Sequence, residues 1–284
     1  MRLICILALF GCSAAQALQV TDDRGVVVSF AQTPQRIVSM LPSLTESVCA
    51  MAQCQRLVGV DRYSNFPSSL KTVPKLGGGM DPNIEGIVAL KPDVVLVAGK
   101  SRATDRLEAL GIKVVALETK THADVKRVLL VLGVLLAVPE AQGAAPLWRI
   151  IDASVAAAAQ SLPAKAKTAR VYFEVSRGPY AASESSFIGE TLTRLGVKNV
   201  VPANLGPFPR LNPEYVVRAN PDVIMIGNRS MVNAVAYPGW SSIKAVRDKR
   251  VCVFSNDEAD VLVRPGPRMA EAARLMAKCL APND

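Results

Sequence analysis

Short β-branched runs recur along this chain, and each is separated from the next by a segment long enough to form a helix. The runs are RIVSM from Arg36, VVLVA from Val94, KVVAL from Lys113, RVYFEV from Arg170, VIMIG from Val223 and RVCVF from Arg250. Apolar runs with little polar alternation are typical of strands buried on both faces. Strands that alternate with helices predict an α/β fold with parallel sheets covered on two sides.

One part of this pattern occurs twice. The segment NIEGIVALKPDVVLV begins at Asn83, and NPEYVVRANPDVIMI begins at Asn212; without a gap they share Asn83/Asn212, Glu85/Glu214 and the Pro-Asp pairs at Asp93 and Asp222. Each copy predicts an Asn N-cap, a short helix, a Pro-Asp turn and a buried strand. Internal repetition of this kind predicts two similar Rossmann-like lobes.

An alanine-rich segment separates the two halves. It lies between Pro139 and Pro163 and consists mostly of good helix formers, which favours a stiff helix over a flexible linker. We therefore expect an N-terminal lobe over 18–138, a single connecting helix over 139–162 and a C-terminal lobe over 163–284, with a ligand cleft between the lobes. Within the first lobe, Ser43-Leu44-Thr45-Glu46 matches a capping box and predicts a helix start directly after a strand.

The amino terminus has the pattern of a signal peptide over 1–17. Arg2 precedes a short apolar run, and Ala15-Gln16-Ala17 fits an A-x-A cleavage site. The run is shorter than the roughly 20 residues that span a bilayer, which argues against a membrane anchor. Export with cleavage after Ala17 is expected, and lipid attachment at Cys12 is the alternative.

Four cysteines remain after such cleavage, and an exported protein meets an oxidising compartment. Three pairings are possible; we favour Cys252 with Cys279, joining a late strand to the last helix, and Cys49 with Cys54, at a helix end. The spacing is wrong for zinc, and the single histidine, His122, stands where a helix should begin, so a surface position is expected for it and no metal site.

Charge and motifs exclude several other functions. The net charge of +9 comes from scattered basic residues and only 5% of residues are aromatic, which argues against nucleic-acid binding. The segment Ala98-Gly99-Lys100-Ser101 lacks the earlier glycine of a phosphate-binding loop, and Ser241-x-x-Lys244 lacks its partner motifs. With one histidine and no G-x-S-x-G, an exported enzyme is a minor alternative, and no cofactor is expected.

Several longer segments resemble the periplasmic substrate-binding proteins of ABC importers, in the class with a helical backbone between two lobes. They are RIVSMLPSLTE from Arg36, LVGVDRYSNFP from Leu57, NIEGIVALKPDVVLV, LEALGIKVVAL from Leu107, FIGETLTRLGVKNVV from Phe187 and PGWSSIKAVRDKRV from Pro238. The chain is most similar to the cobalamin-binding members. The resemblance implies a non-catalytic, monomeric periplasmic receptor that delivers cobalamin or a related corrinoid to a permease dimer in the inner membrane.

The cleft should lie at the ends of the strands, where open α/β sheets bind ligands. The positions expected to contact ligand are Pro42, Ser43, Tyr63, Gly78, Gly99, Tyr180, Phe208, Asp257 and Arg264. The resemblance implies that the aromatic members stack on the corrin ring and that Asp257 and Arg264 bond its polar edge. Near Gly78 and Gly99, however, cobalamin binders carry tryptophan, so the cleft is expected to be roomier, or its ligand another corrinoid, a haem or a ferric siderophore.

The role of the repeated glutamates can be interpreted in two ways, and the two interpretations are compatible. A carboxylate in the first turn is stabilised by the helix dipole by roughly 0.3–1 kcal/mol. The resemblance further implies that Glu85 and Glu214, one on each lobe, dock onto arginines of the two transporter subunits.

Overall fold

The computed structural model describes residues 17–227 and 237–281. Most of the predicted signal peptide, with Cys12, lies outside these residues. No helix within the described ranges has both the length and the apolar character needed to cross a membrane.

The N-terminal lobe is built on a parallel sheet preceded by a hairpin. Its strands are β1 (Leu18–Thr21), β2 (Val27–Phe30), β3 (Ile37–Ser39), β4 (Leu57–Val60), β5 (Val94–Val97) and β6 (Val114–Ala116). β1 and β2 form the antiparallel hairpin, and the other four run parallel in the order β4-β3-β5-β6. β3, β5 and β6 are almost wholly buried, as their apolar runs predict.

Four helices cover this sheet: α1 (Pro42–Ala50), α2 (Ile84–Ala89), α3 (Arg102–Ala109) and α4 (His122–Leu135). One apolar cluster under α1 and α4 includes Leu44, Val48 and Leu129, and a second under α2 and α3 includes Ile87 and Leu107. The sheet is therefore sandwiched between two helical layers.

A single helix, α5 (Ala144–Gln160), follows the N-terminal lobe and occupies most of the predicted connecting segment. Its 17 residues span about 25 Å at 1.5 Å per residue. Ile151 belongs to the core of the first lobe, whereas Val155 belongs to the core of the second. The helix is thus anchored in both hydrophobic cores.

The C-terminal lobe has a five-stranded sheet. Its strands are β7 (Arg170–Ser176), β8 (Tyr180–Ala181), β9 (Lys198–Asn199), β10 (Val223–Gly227) and β11 (Val251–Phe254), and its helices are α6 (Phe187–Arg194), α7 (Pro213–Ala219), α8 (Lys244–Arg247), α9 (Asn256–Leu262) and α10 (Met269–Leu280). The main path is β11-β10-β7-β8, in which only the β7–β8 pair is antiparallel; β9 also pairs with β7 in parallel.

The sequence repeat is a structural repeat. Asn83 and Asn212 cap α2 and α7 through their side-chain oxygens, and β5 and β10 follow. The repeated aspartates also have matching partners: Asp93 accepts the backbone N–H of Arg36 at 2.8 Å, and Asp222 accepts that of Arg170 at 2.9 Å. Each aspartate therefore ties its turn to the start of the neighbouring central strand.

Two disulfide bonds join Cys49 to Cys54 and Cys252 to Cys279, with Cα–Cα distances of 4.3 and 6.0 Å. These are the pairings that the sequence favoured. The first bond lies at the end of α1, and the second joins β11 to α10.

Two local predictions are wrong. α1 does begin directly after β3, but its N-cap is Leu41, which makes no side-chain capping bond, and Glu46 pairs with arginines of the other lobe instead of closing a capping box. His122 is the first residue of α4 but is only 8% exposed, because it packs against α6. In both cases the side chain contacts the opposite lobe instead of taking the position that the local sequence predicts.

Candidate functional site

A cavity of about 530 Å³ lies between the two lobes, and we call it the main chamber. From the N-terminal lobe, its walls include Leu41, Pro42 and Ser43 at the start of α1, Tyr63 after β4, and Ala98 after β5. The chamber therefore opens at the carboxyl ends of parallel strands, where α/β sheets commonly bind ligands.

The C-terminal lobe supplies the facing wall of the main chamber. Phe187 and Phe208 come from α6 and the loop before α7, with ring centroids 6.0 Å apart and planes at 62°. Val263, Arg264 and Pro265 follow α9. The exposed side chains of Tyr63 (52%) and Phe208 (37%) on opposite lobes provide aromatic surfaces on which a flat ligand could stack.

A second cavity of about 410 Å³, the side chamber, adjoins the first on the N-terminal lobe. It shares Leu41, Pro42, Tyr63, Ala98 and Glu118 with the main chamber. Its separate walls come from the start of α3, from the end of β5 and from the loop around Met80. The two chambers are therefore parts of one cleft.

The boundary between the chambers carries an ion pair. The ammonium of Lys120 pairs with the carboxylate of Glu118, and this hydrogen bond raises the pKa of the lysine. Gly99, beside this pair, has φ +146°, and a Cβ there would lie 2.6 Å from a carboxylate oxygen of Glu118. A larger residue at position 99 is thus disfavoured by the backbone conformation and would also require the flexible Glu118 side chain to move.

The base of the cleft is closed by a group that we call the arginine clasp: Glu46, Asn65, Asp260, Arg264 and Arg268. Arg264 donates to Glu46 and to Asn65, each at 2.8 Å, and pairs with Asp260 at 2.7 Å. Arg268 also donates to Glu46, at 2.7 and 2.8 Å. Both guanidiniums are therefore neutralised by buried carboxylates, one of which belongs to the opposite lobe.

The lobes also meet at a second point, the histidine clasp, formed by Lys120, His122, Phe187, Glu190 and Arg194. Phe187 N–H donates to the carbonyl of Lys120 at 2.7 Å, and His122 N–H donates to Glu190 at 2.5 Å. Because Arg194 faces His122 Nδ1 at 3.3 Å, the neutral ring accepts there, and Nε2–H faces the carbonyl of Phe187 at 3.1 Å. Burial lowers the pKa of His122, consistent with a neutral ring.

The structure brings most of the predicted ligand positions together. Pro42, Ser43, Tyr63, Phe208 and Arg264 line the main chamber, and Gly99 lines the side chamber. Arg264 belongs to the arginine clasp and is only 5% exposed. Four of its N–H groups already contact protein acceptors, on Glu46, Asn65, Tyr63 and Asp260.

Three predicted positions line neither chamber. Gly78 is one of them, although its neighbour Gly79 lines the side chamber. Tyr180 lies on β8 and pairs by backbone with Arg210. Asp257 lines a separate groove, together with Asn65 and Phe66.

The lining residues that sequence reasoning did not single out include four with polar or aromatic side chains that bear on the site: Glu118, Lys120, Phe187 and Asp260. For Asp260 a signal existed, because it stands four positions before Arg264, the spacing that places two side chains on one helical face. Phe187 lies in one of the segments that carry the family resemblance, but it was not among the predicted ligand positions. Glu118 and Lys120 follow the strand KVVAL, and only the meeting of the lobes shows that they border a cavity.

The repeated glutamates lie on the surface. Both Glu85 and Glu214 are exposed in the first turns of α2 and α7, and Glu214 faces Arg218 at 3.9 Å. Their side chains are thus available to a partner.

Two α/β lobes joined by one helix, with a largely apolar cleft between them, define a ligand receptor of the two-lobed class. The match to the model of the periplasmic binding protein family covers residues 37–258, so the chain belongs to this family. It is accordingly a substrate-binding receptor of an ABC importer and not an enzyme.

Individual relatives agree with this assignment. The chain is 29% identical to the ABC transporter substrate-binding lipoprotein YvrC of Bacillus subtilis, over 93% of this chain and 85% of that protein. It is 27% identical to the vitamin B12-binding protein of Pectobacterium atrosepticum, over 87% and 89%. A periplasmic heme-binding protein from Pseudomonas aeruginosa superposes with a TM-score of 0.72 at 27% identity, over 88% and 94%.

Proposed function

We propose that this receptor binds cobalamin or a related corrinoid in the periplasm and delivers it to the permease dimer of its importer. The observation that carries the proposal is the cleft itself: a 530 Å³ chamber with aromatic side chains on both lobes and a connected side chamber. A large, flat, mostly apolar ring with polar edges suits such walls.

The relatives support the same ligand class. Relatives named vitamin B12-binding or cobalamin-binding match along most of this chain. Export fits the family, and Cys12 remains the alternative attachment point for a lipid, given that one relative is named a lipoprotein.

Haem is the second candidate, and Tyr63 is the residue that favours it. Its side chain is half exposed in the cleft, with the Arg62 guanidinium 6.0 Å from the ring centroid. A tyrosine oxygen can ligate ferric haem iron. Ferric siderophores remain a third ligand class for the same cleft.

Isothermal titration of the mature protein, with disulfides intact, tests the ligand directly. Cyanocobalamin is expected to bind one to one with micromolar or tighter affinity. No heat with cyanocobalamin, together with tight binding of haemin or of a ferric siderophore, would overturn the corrinoid assignment.

Variants at Tyr63 separate stacking from iron ligation. If the ring stacks on a corrin, Tyr63→Phe should bind cyanocobalamin like the wild type, whereas Tyr63→Ala should bind about tenfold more weakly. If the oxygen ligates haem, Tyr63→Phe should change the absorbance spectrum of the haemin complex. The matched pair therefore assigns the role of this residue in either case.

A further inference from the structure

His122 is the single histidine of the chain, and it lies at the contact between the two lobes. It begins α4 of the N-terminal lobe, and its ring packs against α6 of the C-terminal lobe. Because the ring is buried, a hydrogen bond that it loses is not replaced by one to bulk water. The protonation state of this side chain is therefore tied to the contact between the lobes.

Hydrogen bonds on both sides of the ring require its neutral form. The Thr191 hydroxyl donates to the carbonyl of Phe187 at 2.8 Å, so its oxygen can accept the N–H of His122 Nε2, also at 2.8 Å. On the other side, Nδ1 faces a guanidinium N–H of Arg194 at 3.3 Å and acts as the acceptor. A proton added at Nδ1 would set two donors against each other and break this bond.

The connecting helix holds Arg194 in place. Its guanidinium pairs with the carboxylate of Asp152 at 2.9 Å and donates to the backbone carbonyl of the same residue at 3.0 Å. Arg194 thus joins α4, α5 and α6 at one point. Turning away from a protonated ring would cost it both contacts with α5.

The charged groups around the ring act in both directions. Burial lowers the pKa of His122 from its ordinary value of 6.5, and Arg194 adds to this effect, whereas the carboxylates of Glu190 and Asp152 oppose it. The nearest charged side chains along the histidine's own segment are paired with others: Lys120 with Glu118 and Asp124 with Arg127. The ring therefore takes up a proton more readily when the lobes separate and water reaches it.

We propose that the histidine clasp is an acid-sensitive switch, in which protonation of His122 at Nδ1 loosens the two lobes from each other. Closed lobes hold the ring neutral and open lobes accept the proton, so acid favours opening. The contribution of His122 to closure is complete above about pH 6.5 and is lost progressively as pH falls below it. One proton changes the opening equilibrium by at most about tenfold per pH unit.

The clasp also borders the ligand cavity. Phe187 and Lys120 both line the main chamber, and the backbone bond between them crosses from one lobe to the other. Opening at this point therefore moves two walls of the chamber, whichever ligand the chamber holds.

Proton NMR measures the titration directly, because the untagged protein has a single histidine C2–H resonance. Its midpoint should lie below 6.5 in the wild type. Arg194→Gln replaces the guanidinium by an amide whose oxygen can accept from a protonated Nδ1, so the midpoint should rise. Arg102→Gln, at an exposed position of α3, removes the same charge elsewhere and should leave the midpoint unchanged. Equal midpoints in Arg194→Gln and the wild type would overturn the proposal.

Hydrogen exchange at the backbone N–H of Phe187 measures opening, because its acceptor, the carbonyl of Lys120, belongs to the opposite lobe. After correction for the intrinsic effect of pH, its protection should fall several-fold between about pH 7.5 and about pH 5.5 in the wild type. The amide of Val95, which bonds within the N-terminal lobe, reports unfolding of that lobe and should keep its protection. No ligand is added, so the result is independent of the proposed function.

His122→Gln keeps a neutral amide in place of the ring, and the protection of Phe187 should then not vary with pH. A fall as large as that of the wild type, or constant protection in the wild type, would contradict the switch. Thermal melts verify that the variants fold. If His122→Gln does not fold, Arg194→Gln answers the same question, because a higher midpoint in the closed state should make the fall smaller.

Discussion

The guanidinium of Arg264 lies 2.8 Å from the carboxylate of Glu46, although 218 positions separate the two residues in the chain. Glu46 is 4% exposed and Arg264 is 5% exposed, and Arg268 shares the same carboxylate. One glutamate of α1 thus pairs with two arginines of the opposite lobe, and Asp260 supplies the second negative charge. Glu46 is therefore the carboxylate that the N-terminal lobe contributes to the arginine clasp.

Replacing Glu46 with Gln should therefore be strongly destabilising. Removing one member of a buried ion pair leaves the other charge uncompensated, which typically costs about 3–5 kcal/mol. Urea denaturation of the full mature protein measures the loss, and Glu85→Gln, at an exposed position, is the control expected to change stability by less than about 0.5 kcal/mol. Equal stabilities of the two variants would show that the arginine clasp contributes little.

Glu174 should make stability depend on pH. It is completely buried on β7, one carboxylate oxygen has no hydrogen-bond partner among the described residues, and burial raises its pKa to about 7 from 4.5. The folded state therefore binds the proton more tightly than the unfolded state, so this contribution is complete below about pH 4.5 and is lost as pH rises through 7.

Comparison of the wild type with Glu174→Gln isolates this effect. The difference in unfolding free energy between them should change by about 3 kcal/mol between pH 4.5 and pH 8, in the direction that weakens the wild type at high pH. The comparison also removes the opposing contribution of His122, whose lowered pKa weakens the fold as pH falls. A difference that does not vary with pH would contradict the prediction.

The two disulfides should differ in their contributions because they close loops of different length. The sequence separation is 27 residues for Cys252–Cys279 and 5 for Cys49–Cys54. Loop-closure entropy then gives about 3–4 kcal/mol for the first and about 2 kcal/mol for the second. Paired Cys→Ser variants, compared by guanidinium denaturation, check this order, and a larger loss at Cys49–Cys54 would reverse it.

The exposed glutamates should contribute to transport without contributing to ligand binding. The double change Glu85→Ala and Glu214→Ala should leave ligand affinity within about twofold and weaken association with the permease in lipid nanodiscs, because each carboxylate is expected to meet an arginine there. The control is Glu271→Ala, which alters an acidic residue of α10 on a different part of the surface. Unchanged association of the double variant would reject these residues as docking points.

Local patterns predicted the elements well because each repeat copy carries its own signals. Asn83 and Asn212 cap their helices, and the apolar runs that follow become buried strands. The hairpin of β1 and β2 was not predicted; its strands alternate between exposed and more buried positions, whereas β3 and β6 are wholly buried. Strand length did not decide the outcome, because the three-residue strands β3 and β6 were predicted.

The site was predicted less completely because it is assembled across the lobes. Tyr63 and Phe208 could be placed from the family pattern, and both line the main chamber. Glu46 and His122 were misplaced because their partners lie in the other lobe, at sequence distances that a local pattern cannot register. The side chamber depends on several small residues from separate segments, so no single motif indicates it.

The two clasps have a consequence for the end of the transport cycle. Buried ion pairs and the histidine contact hold the two lobes together. Spontaneous opening is therefore unfavourable, because it would separate those charges from their partners. Bound cargo would then leave slowly from the free receptor, and discharge would require a partner that pulls the lobes apart. The lifetime of the loaded receptor would in this sense be set by salt bridges between the two lobes.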